Sequence, residues 1–140
     1  MSEESTTSDL VEIVRGSFEA ADRRDFDALM SFYAPDAVWE MSPFGMGTFK
    51  GLAAIRGFFE DWMRAYEEYE MRLEETLLLG NEVVLAVAMQ KGRPAGGSGE
   101  VRLRYGSVSV WENGLIVRVT NYIDIDEARA AAERLAKERG

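Results

Sequence analysis

Apolar residues recur with a helical period in the first half of the chain and again at its end. Spacings of three and four place Leu, Val and Phe side chains on one side of residues 9–22, and the same spacing runs over residues 52–69. Asp25, a residue type that caps helices, precedes a shorter apolar pattern. Asp126 can cap a last helix over residues 127–137. The pattern therefore predicts four helices.

Between these helices the pattern changes to the alternating and continuous apolar runs of β-strands. Asn113 and Gly114 separate two such runs, and an Asn-Gly pair is the strongest short-range hairpin signal because both turn residues need positive φ. Strands are predicted over residues 37–41, 70–79, 82–91, 101–111 and 115–123. Helices followed by a run of antiparallel strands predict an α+β domain with helices packed on one face of a sheet.

The composition fits one globular domain. Of the 140 residues, 46% are hydrophobic, and the polar first eight predict a disordered tail over residues 1–8 before a single domain over 9–140. The net charge of −9 argues against nucleic acid and anionic membranes as partners, since both require a basic face. No apolar run approaches the ~20 residues that span a bilayer, and no signal peptide is evident, so a cytoplasmic location is expected.

Two residue types that carry much enzyme chemistry are missing from the chain. The absence of cysteine excludes a thiolate nucleophile and zinc–thiolate ligation. The absence of histidine excludes the usual base near neutral pH and the commonest metal ligand. Acid–base chemistry would have to come from Asp, Glu, Tyr or Lys. No metal site and no cofactor are predicted.

Four segments of the chain together resemble a known family. They are residues 18–29 (FEAADRRDFDAL), 33–40 (YAPDAVWE), 50–59 (KGLAAIRGFF) and 110–124 (VWENGLIVRVTNYID). In content and order they resemble the SnoaL-like branch of the NTF2-like superfamily. The resemblance implies a cone, in which a curved, mixed, mainly antiparallel sheet wraps round the N-terminal helices and encloses an apolar pocket. Members include polyketide cyclases, ketosteroid isomerases, limonene-type epoxide hydrolases and non-catalytic binders, so the fold alone does not fix a reaction.

Most catalytic residues that the resemblance implies are replaced in this chain. Met41 stands where the isomerases have their general base, and Ser107 where they have a hydrogen-bonding Asp. Their Tyr falls at Ser17 or Phe18. The Asp in the last strand of the cyclases and epoxide hydrolases corresponds to Asn121. The amide of Asn121 can orient a carbonyl or a water molecule but accepts no proton at neutral pH.

Strand alternation predicts a pocket around Ser107. If Ser107 points inward, Tyr105 shares its face, and Asn121 faces inward from the neighbouring strand. An apolar, aromatic cavity with a few polar groups is typical of small-molecule sites. The alternative is that these side chains only fill the core. The predicted ligand-binding residues are Trp39, Met41, Phe58, Trp62, Tyr66, Tyr105, Ser107, Asn121 and Ile123.

Glu40 is the acid nearest the position of the missing isomerase base. Alternation from Trp39 and Met41 turns its side chain outward, so a strand bulge would be needed to rotate it into the pocket as a general base. The glycine-rich residues 91–100 are interpreted as a long hairpin connection or a mobile lid. The candidates for catalysis are Asn121, Ser107, Glu40 and Tyr105.

The outer face of the predicted sheet is also apolar. Val83 and Leu85 lie on the opposite face from Val84 and Ala86, and an exposed apolar face marks a partner surface. The resemblance implies dimers that pack sheet against sheet, so a homodimer through this face is expected. A small apolar molecule is the other expected partner. Three functions stay open: an isomerase, cyclase or hydrolase, a non-catalytic ligand-binding protein, and a protein-interaction domain that uses the outer sheet.

Overall fold

The computed structural model describes residues 3–140, with side chains described from Asp9 onward. Its helices are α1 Glu3–Asp22, α2 Phe26–Met30, α3 Leu52–Arg64 and α4 Ile125–Arg139. Its strands are β1 Tyr33–Glu40, β2 Thr48–Lys50, β3 Tyr66–Gly80, β4 Val83–Pro94, β5 Val101–Glu112 and β6 Leu115–Tyr122. A single 3₁₀ turn at Ser42–Phe44 and the short β2 occupy the predicted loop.

The strands form one mixed sheet in the order β2-β1-β6-β5-β4-β3. β1 runs parallel to β6, and every other neighbouring pair is antiparallel. Register shifts in β1, β3 and β5 mark irregularities of the kind that bend a sheet. The larger core lies between the inner face of the sheet and α1–α3. The predicted α+β cone is confirmed.

The Asn-Gly turn forms the hairpin that the sequence predicts. Asn113 and Gly114 have φ values of 53° and 78°, and Glu112 pairs with Leu115 across the turn. Continued unchanged, the pairing at the turn would set Ser107 opposite Thr120, but a one-residue register shift between Val110 and Trp111 places it directly opposite Asn121. The turn and this shift together bring two of the candidate site residues side by side.

The third helix is shorter than its apolar pattern predicts. It ends at Arg64, short of Tyr69, and Tyr66 already begins β3. The apolar spacing of this segment fits a helix, but pairing with β4 decides the outcome. Across that pairing Glu68 carries a 3.1 Å ion pair with Arg93, which a continued helix would not form.

The first helix begins at Glu3, whereas its apolar pattern begins at Asp9. The disordered tail predicted over residues 1–8 stays a prediction, because the side chains of those residues lie outside the described part of the chain. None of the helices in residues 3–140 is long and apolar enough to cross a membrane.

The last helix covers the outer face of the sheet. Its cap is Asp124 rather than Asp126: the Asp124 carboxylate accepts hydrogen bonds from the backbone N–H groups of Asp126 (2.8 Å) and Glu127 (3.1 Å). Because Asp124 follows β6 so closely, α4 turns back onto β4 and β5. The second core that results consists of Val83, Leu85, Val108, Val110, Ala128, Ala132 and Ala136.

The apolar outer face therefore has a partner within the chain. Val83 and Leu85, which the sequence analysis interprets as part of a partner surface, are 1% and 0% exposed beneath α4. The expectation that these two residues are exposed on the outer face is therefore wrong. The homodimer itself stays a prediction.

Candidate ligand-binding site

Two small cavities lie side by side between the helices and the inner face of the sheet. Each has a volume of about 40 Å³. Such a volume holds a few water molecules but is well below the ~150 Å³ of a cavity that binds benzene. Both cavities are lined by Trp39, Phe59, Met71 and Tyr105. They are therefore two parts of one interior space divided by side chains.

The first part, the deep cavity, carries hydroxyl groups. Burial raises the pKa of Tyr33 and of Tyr105 above the ordinary value of a phenol, so both side chains stay neutral and act only through hydrogen bonds. The Ser109 hydroxyl accepts a 2.8 Å hydrogen bond from the indole of Trp111. The hydroxyl-bearing residues of the deep cavity are Ser17, Tyr33, Tyr105, Ser107 and Ser109.

The second part, the outer cavity, contains a buried amide. Asn121 is 2% exposed, and its Nδ2 donates a 3.3 Å hydrogen bond to Sδ of Met41. Its Oδ1 has no partner, and neither has Nε1 of Trp39. These two are the buried side-chain polar atoms without a partner in the described part of the chain. Leaving such an atom unpaired costs about 1–3 kcal/mol, so each is suited to a ligand that would pair it.

A cluster of polar side chains around Gln90 closes the other side of the outer cavity. Oε1 of Gln90 accepts hydrogen bonds from the indole of Trp62 (2.7 Å) and the hydroxyl of Tyr69 (3.3 Å), and its Nε2 donates to the Tyr66 hydroxyl (3.3 Å). Gln90, Tyr69 and Met71 are not among the site residues predicted from the sequence. Gln90 is a polar residue at the end of an otherwise apolar run, which marks its position as unusual but does not show where its side chain points.

Seven of the predicted ligand-binding residues line the two cavities: Trp39, Met41, Phe58, Trp62, Tyr105, Ser107 and Asn121. Tyr66 lies at the start of β3 and contacts Gln90 without lining either cavity. The prediction for Ile123 is wrong, because this side chain is 54% exposed. β6 ends at Tyr122, so strand alternation no longer governs the next residue.

Glu40 lies outside the interior site. Its carboxylate accepts hydrogen bonds from the hydroxyls of Ser42 and Thr48, the latter at 2.8 Å, and lies 3.6 Å from the Arg118 guanidinium. The hydrogen bond from Ser42, then that from Thr48, holds the pKa of Glu40 below its ordinary value. The structure does not bring this candidate base to the cavities, although β1 contains a register shift.

We expect Glu40→Gln to lower the stability of the fold at neutral pH and not in acid. A pKa lowered by folding means that the carboxylate stabilises the fold above its unfolded pKa of about 4.3, and that this contribution is lost as the pH falls through the folded value. Urea unfolding at about pH 7 and about pH 3 measures the difference. Glu138→Gln, at an exposed site of α4, is the control. A difference that persists in acid would contradict the expectation.

The interior surface carries no charge among the residues that line it. Within the described residues, no group of three or more Asp or Glu side chains is arranged to hold a metal ion. Trp39 lies 4.7 Å from Phe59 and 5.9 Å from Phe58 between ring centroids, so aromatic faces form much of the wall. This surface suits an uncharged molecule with a flat apolar skeleton.

Comparison with known proteins places the chain in a family. The family model described as a SnoaL-like domain matches residues 14–119. An NTF2-like protein of unknown function from Burkholderia pseudomallei is 26% identical, covers 84% of this chain and 92% of its own, and has a TM-score of 0.71. A putative polyketide cyclase from Sinorhizobium meliloti is 26% identical over 79% of this chain and 93% of its own, with a TM-score of 0.66.

A third solved structure shares the fold alone. It is a hypothetical protein from Catenulispora acidiphila with a ketosteroid isomerase-like fold, 18% identical over 79% of this chain and 84% of its own, with a TM-score of 0.71. No curated protein matches the chain. The family match, the mixed sheet and the interior cavities agree, and the chain belongs to the SnoaL-like family of NTF2-like folds.

Proposed function

We propose that the protein binds a small, uncharged organic molecule in its interior, with Trp39 donating a hydrogen bond to the ligand and Asn121 accepting one from it. The observation that carries this proposal is the pair of unpaired buried atoms, Nε1 of Trp39 and Oδ1 of Asn121, in two side chains that line the outer cavity. A ligand that satisfies both atoms removes two desolvation costs at once.

The two atoms define the chemical class of the ligand. Nε1 of Trp39 requires an acceptor such as a carbonyl oxygen, and Oδ1 of Asn121 requires a donor such as a hydroxyl. Aromatic walls favour a flat skeleton between the two groups. The similarity to a putative polyketide cyclase supports the same class, since polyketides carry carbonyl and hydroxyl groups along one chain. The ligand is therefore a neutral hydroxy-carbonyl compound.

Binding fits the interior better than general-base catalysis does. Among the residues whose side chains the structure describes, no carboxylate lines either cavity, and the phenols of Tyr33 and Tyr105 are held neutral by burial. The hydroxyl groups of the deep cavity support one catalytic alternative, a cyclase or isomerase that stabilises a developing oxyanion by hydrogen bonds. Such an enzyme would need a substrate that loses its proton without a basic side chain of the protein.

A ligand as large as one ring requires the two cavities to join and to widen, because their combined volume is below the ~150 Å³ of a cavity that binds benzene. Met71 lines both, and its long unbranched side chain is the most adaptable part of the partition. The hydroxyl of Tyr105 lies 3.5 Å from Sδ of Met71, a weak contact. Movement of Met71 would therefore disrupt little else.

Calorimetric titration with three probes tests the proposal: para-hydroxyacetophenone, acetophenone and phenol. We expect Trp39→Phe to weaken binding of the two ketones by about threefold to tenfold, the worth of one neutral hydrogen bond, and to weaken phenol less, because a phenol oxygen is a poorer acceptor than a ketone oxygen. Asn121→Leu should weaken the two hydroxyl compounds and leave acetophenone unaffected. Equal losses for all three probes would show a packing defect and contradict the two hydrogen bonds.

A further inference from the structure

An open groove lies on the outside of the outer cavity, along α3 and beside β2. Its volume is about 620 Å³, within the range of about 300–1,000 Å³ typical of small-molecule pockets. Apolar and aromatic side chains form most of its surface, and Asp61 is the one charged residue that lines it. Its main residues are Phe49, Gly57, Phe58, Asp61, Trp62 and Tyr66.

Two side chains form a wall between this groove and the outer cavity. Phe58 and Trp62 line both spaces and stack on each other with ring centroids 5.7 Å apart and an interplanar angle of 26°. Phe58 also lies 4.9 Å from Phe49 in the groove and 5.9 Å from Trp39 in the interior. Aromatic side chains therefore form a continuous row from the groove to Trp39, whose Nε1 is one of the two unpaired interior atoms.

Of the two side chains, Trp62 is the less buried. Phe58 is 7% exposed and packs against several rings, whereas Trp62 is only partly buried. The hydrogen bond that holds its indole runs from Nε1 to Oε1 of Gln90 (2.7 Å). Gln90 also bonds Tyr66 and Tyr69 and so stays fixed when the indole leaves. The wide groove next to Trp62 offers room for the turned ring.

We propose that the groove is an entrance subsite, which first takes an uncharged aromatic molecule, and that Trp62 leaves Gln90 to let this molecule pass into the interior. The inference rests on the proposed function, since it requires an interior ligand. It assigns the groove and Trp62 a role in the rates of binding, whereas Trp39 and Asn121 set the affinity.

Gly57→Trp tests the entrance directly. Gly57 lines the groove, and a Cβ at this position would have no atom within 4 Å, so the helix has room for a side chain there. NMR line-shape titration with para-hydroxyacetophenone measures both rate constants. We expect association and dissociation to slow together by about tenfold, with the dissociation constant changed by less than about twofold. Glu60→Trp adds the same bulk on α3 outside the groove and should leave both rates unchanged.

Gln90→Met should change the two rate constants in the opposite direction. It removes the acceptor of the Trp62 hydrogen bond, and both rate constants should rise by about threefold or more. If Gly57→Trp binds and releases the probe at the wild-type rates, the entrance proposal is wrong but the proposed function stands. The same holds if the dissociation constant of Gly57→Trp rises while its association rate is unchanged. Absence of any binding to the wild-type protein would overturn the proposed function and the entrance with it.

Discussion

Replacement of Asn121 by Asp should make the stability of the protein strongly dependent on pH. The side chain is 2% exposed, and none of the residues from Asp9 onward that line the cavity beside it is charged, so an ionised carboxylate would be buried without a partner. Burial raises the pKa of a carboxyl group by up to about 3–5 units, and each unit corresponds to about 1.4 kcal/mol. We therefore expect a loss of about 4 kcal/mol near pH 8.

The sign of the effect follows from proton linkage. A carboxyl group whose pKa is higher in the folded than in the unfolded state is protonated in both states at low pH. At that pH its ionisation therefore does not lower the free energy of unfolding. The loss begins as the pH rises above the unfolded value of about 3.9 and is complete above the folded one. Urea unfolding between about pH 4 and pH 8 measures it. Asn121→Leu is the uncharged control, and a shared pH profile of the two variants would contradict the burial of this side chain away from any charged partner.

Asn121→Asp would also place a carboxyl group where the resemblance to cyclases and epoxide hydrolases implies one. With a raised pKa, such a group is suited to proton transfer near neutral pH. The variant therefore bears on the choice between ligand binding and catalysis, because a gain of chemistry would mean that the native chain has the pocket but lacks the base.

Replacement of Gly106 by Ala should destabilise the fold through α4. A Cβ at this position would lie 2.5 Å from Cβ of Ala128, which is fully buried in the second core. The helix must move outward, and overpacking of this kind costs about 1–3 kcal/mol. Denaturant unfolding measures the loss. The result bears on the outer face of the sheet, because a displaced α4 uncovers the apolar residues beneath it.

Gly57→Ala is the matched control for that experiment. Its Cβ meets no atom within 4 Å and lies in a helix, so we expect no loss and a gain of up to about 1 kcal/mol from helix propensity. Addition of Ala128→Gly to Gly106→Ala should restore part of the stability, since it removes the atom that clashes. Unchanged stability in Gly106→Ala would show that α4 does not pack closely on β5.

The local signals in the sequence predicted most of the fold. The Asn113–Gly114 turn showed that β5 and β6 pair, but a one-residue register shift between Val110 and Trp111, which no local signal predicted, was needed to place Ser107 opposite Asn121. The apolar spacing located the helices, but it could not show that pairing with β4 ends α3 at Arg64. Likewise, the apolar residues on both faces of β4 did not show whether the outer face of the sheet is covered by a second chain or by α4.

For the candidate site, the sequence could predict which face of a strand points inward. Trp39, Ser107 and Asn121 follow from alternation, and Ile123 fails because β6 has already ended. Met71 and Gln90 could not be placed, since each reaches the interior from a strand whose register depends on the long β3–β4 pairing. The presence of unpaired atoms is a property of three-dimensional packing, which no residue pattern encodes.

The indole N–H resonances of the three tryptophans test the central claim most directly. Trp62 and Trp111 already donate to Gln90 and Ser109, whereas Nε1 of Trp39 has no acceptor. In a proton–nitrogen correlation spectrum recorded with para-hydroxyacetophenone, the Trp39 indole proton should shift downfield as it gains the ketone oxygen. Binding that leaves this resonance in place, or that shifts it equally with acetophenone and with toluene, would contradict a ligand held by Trp39.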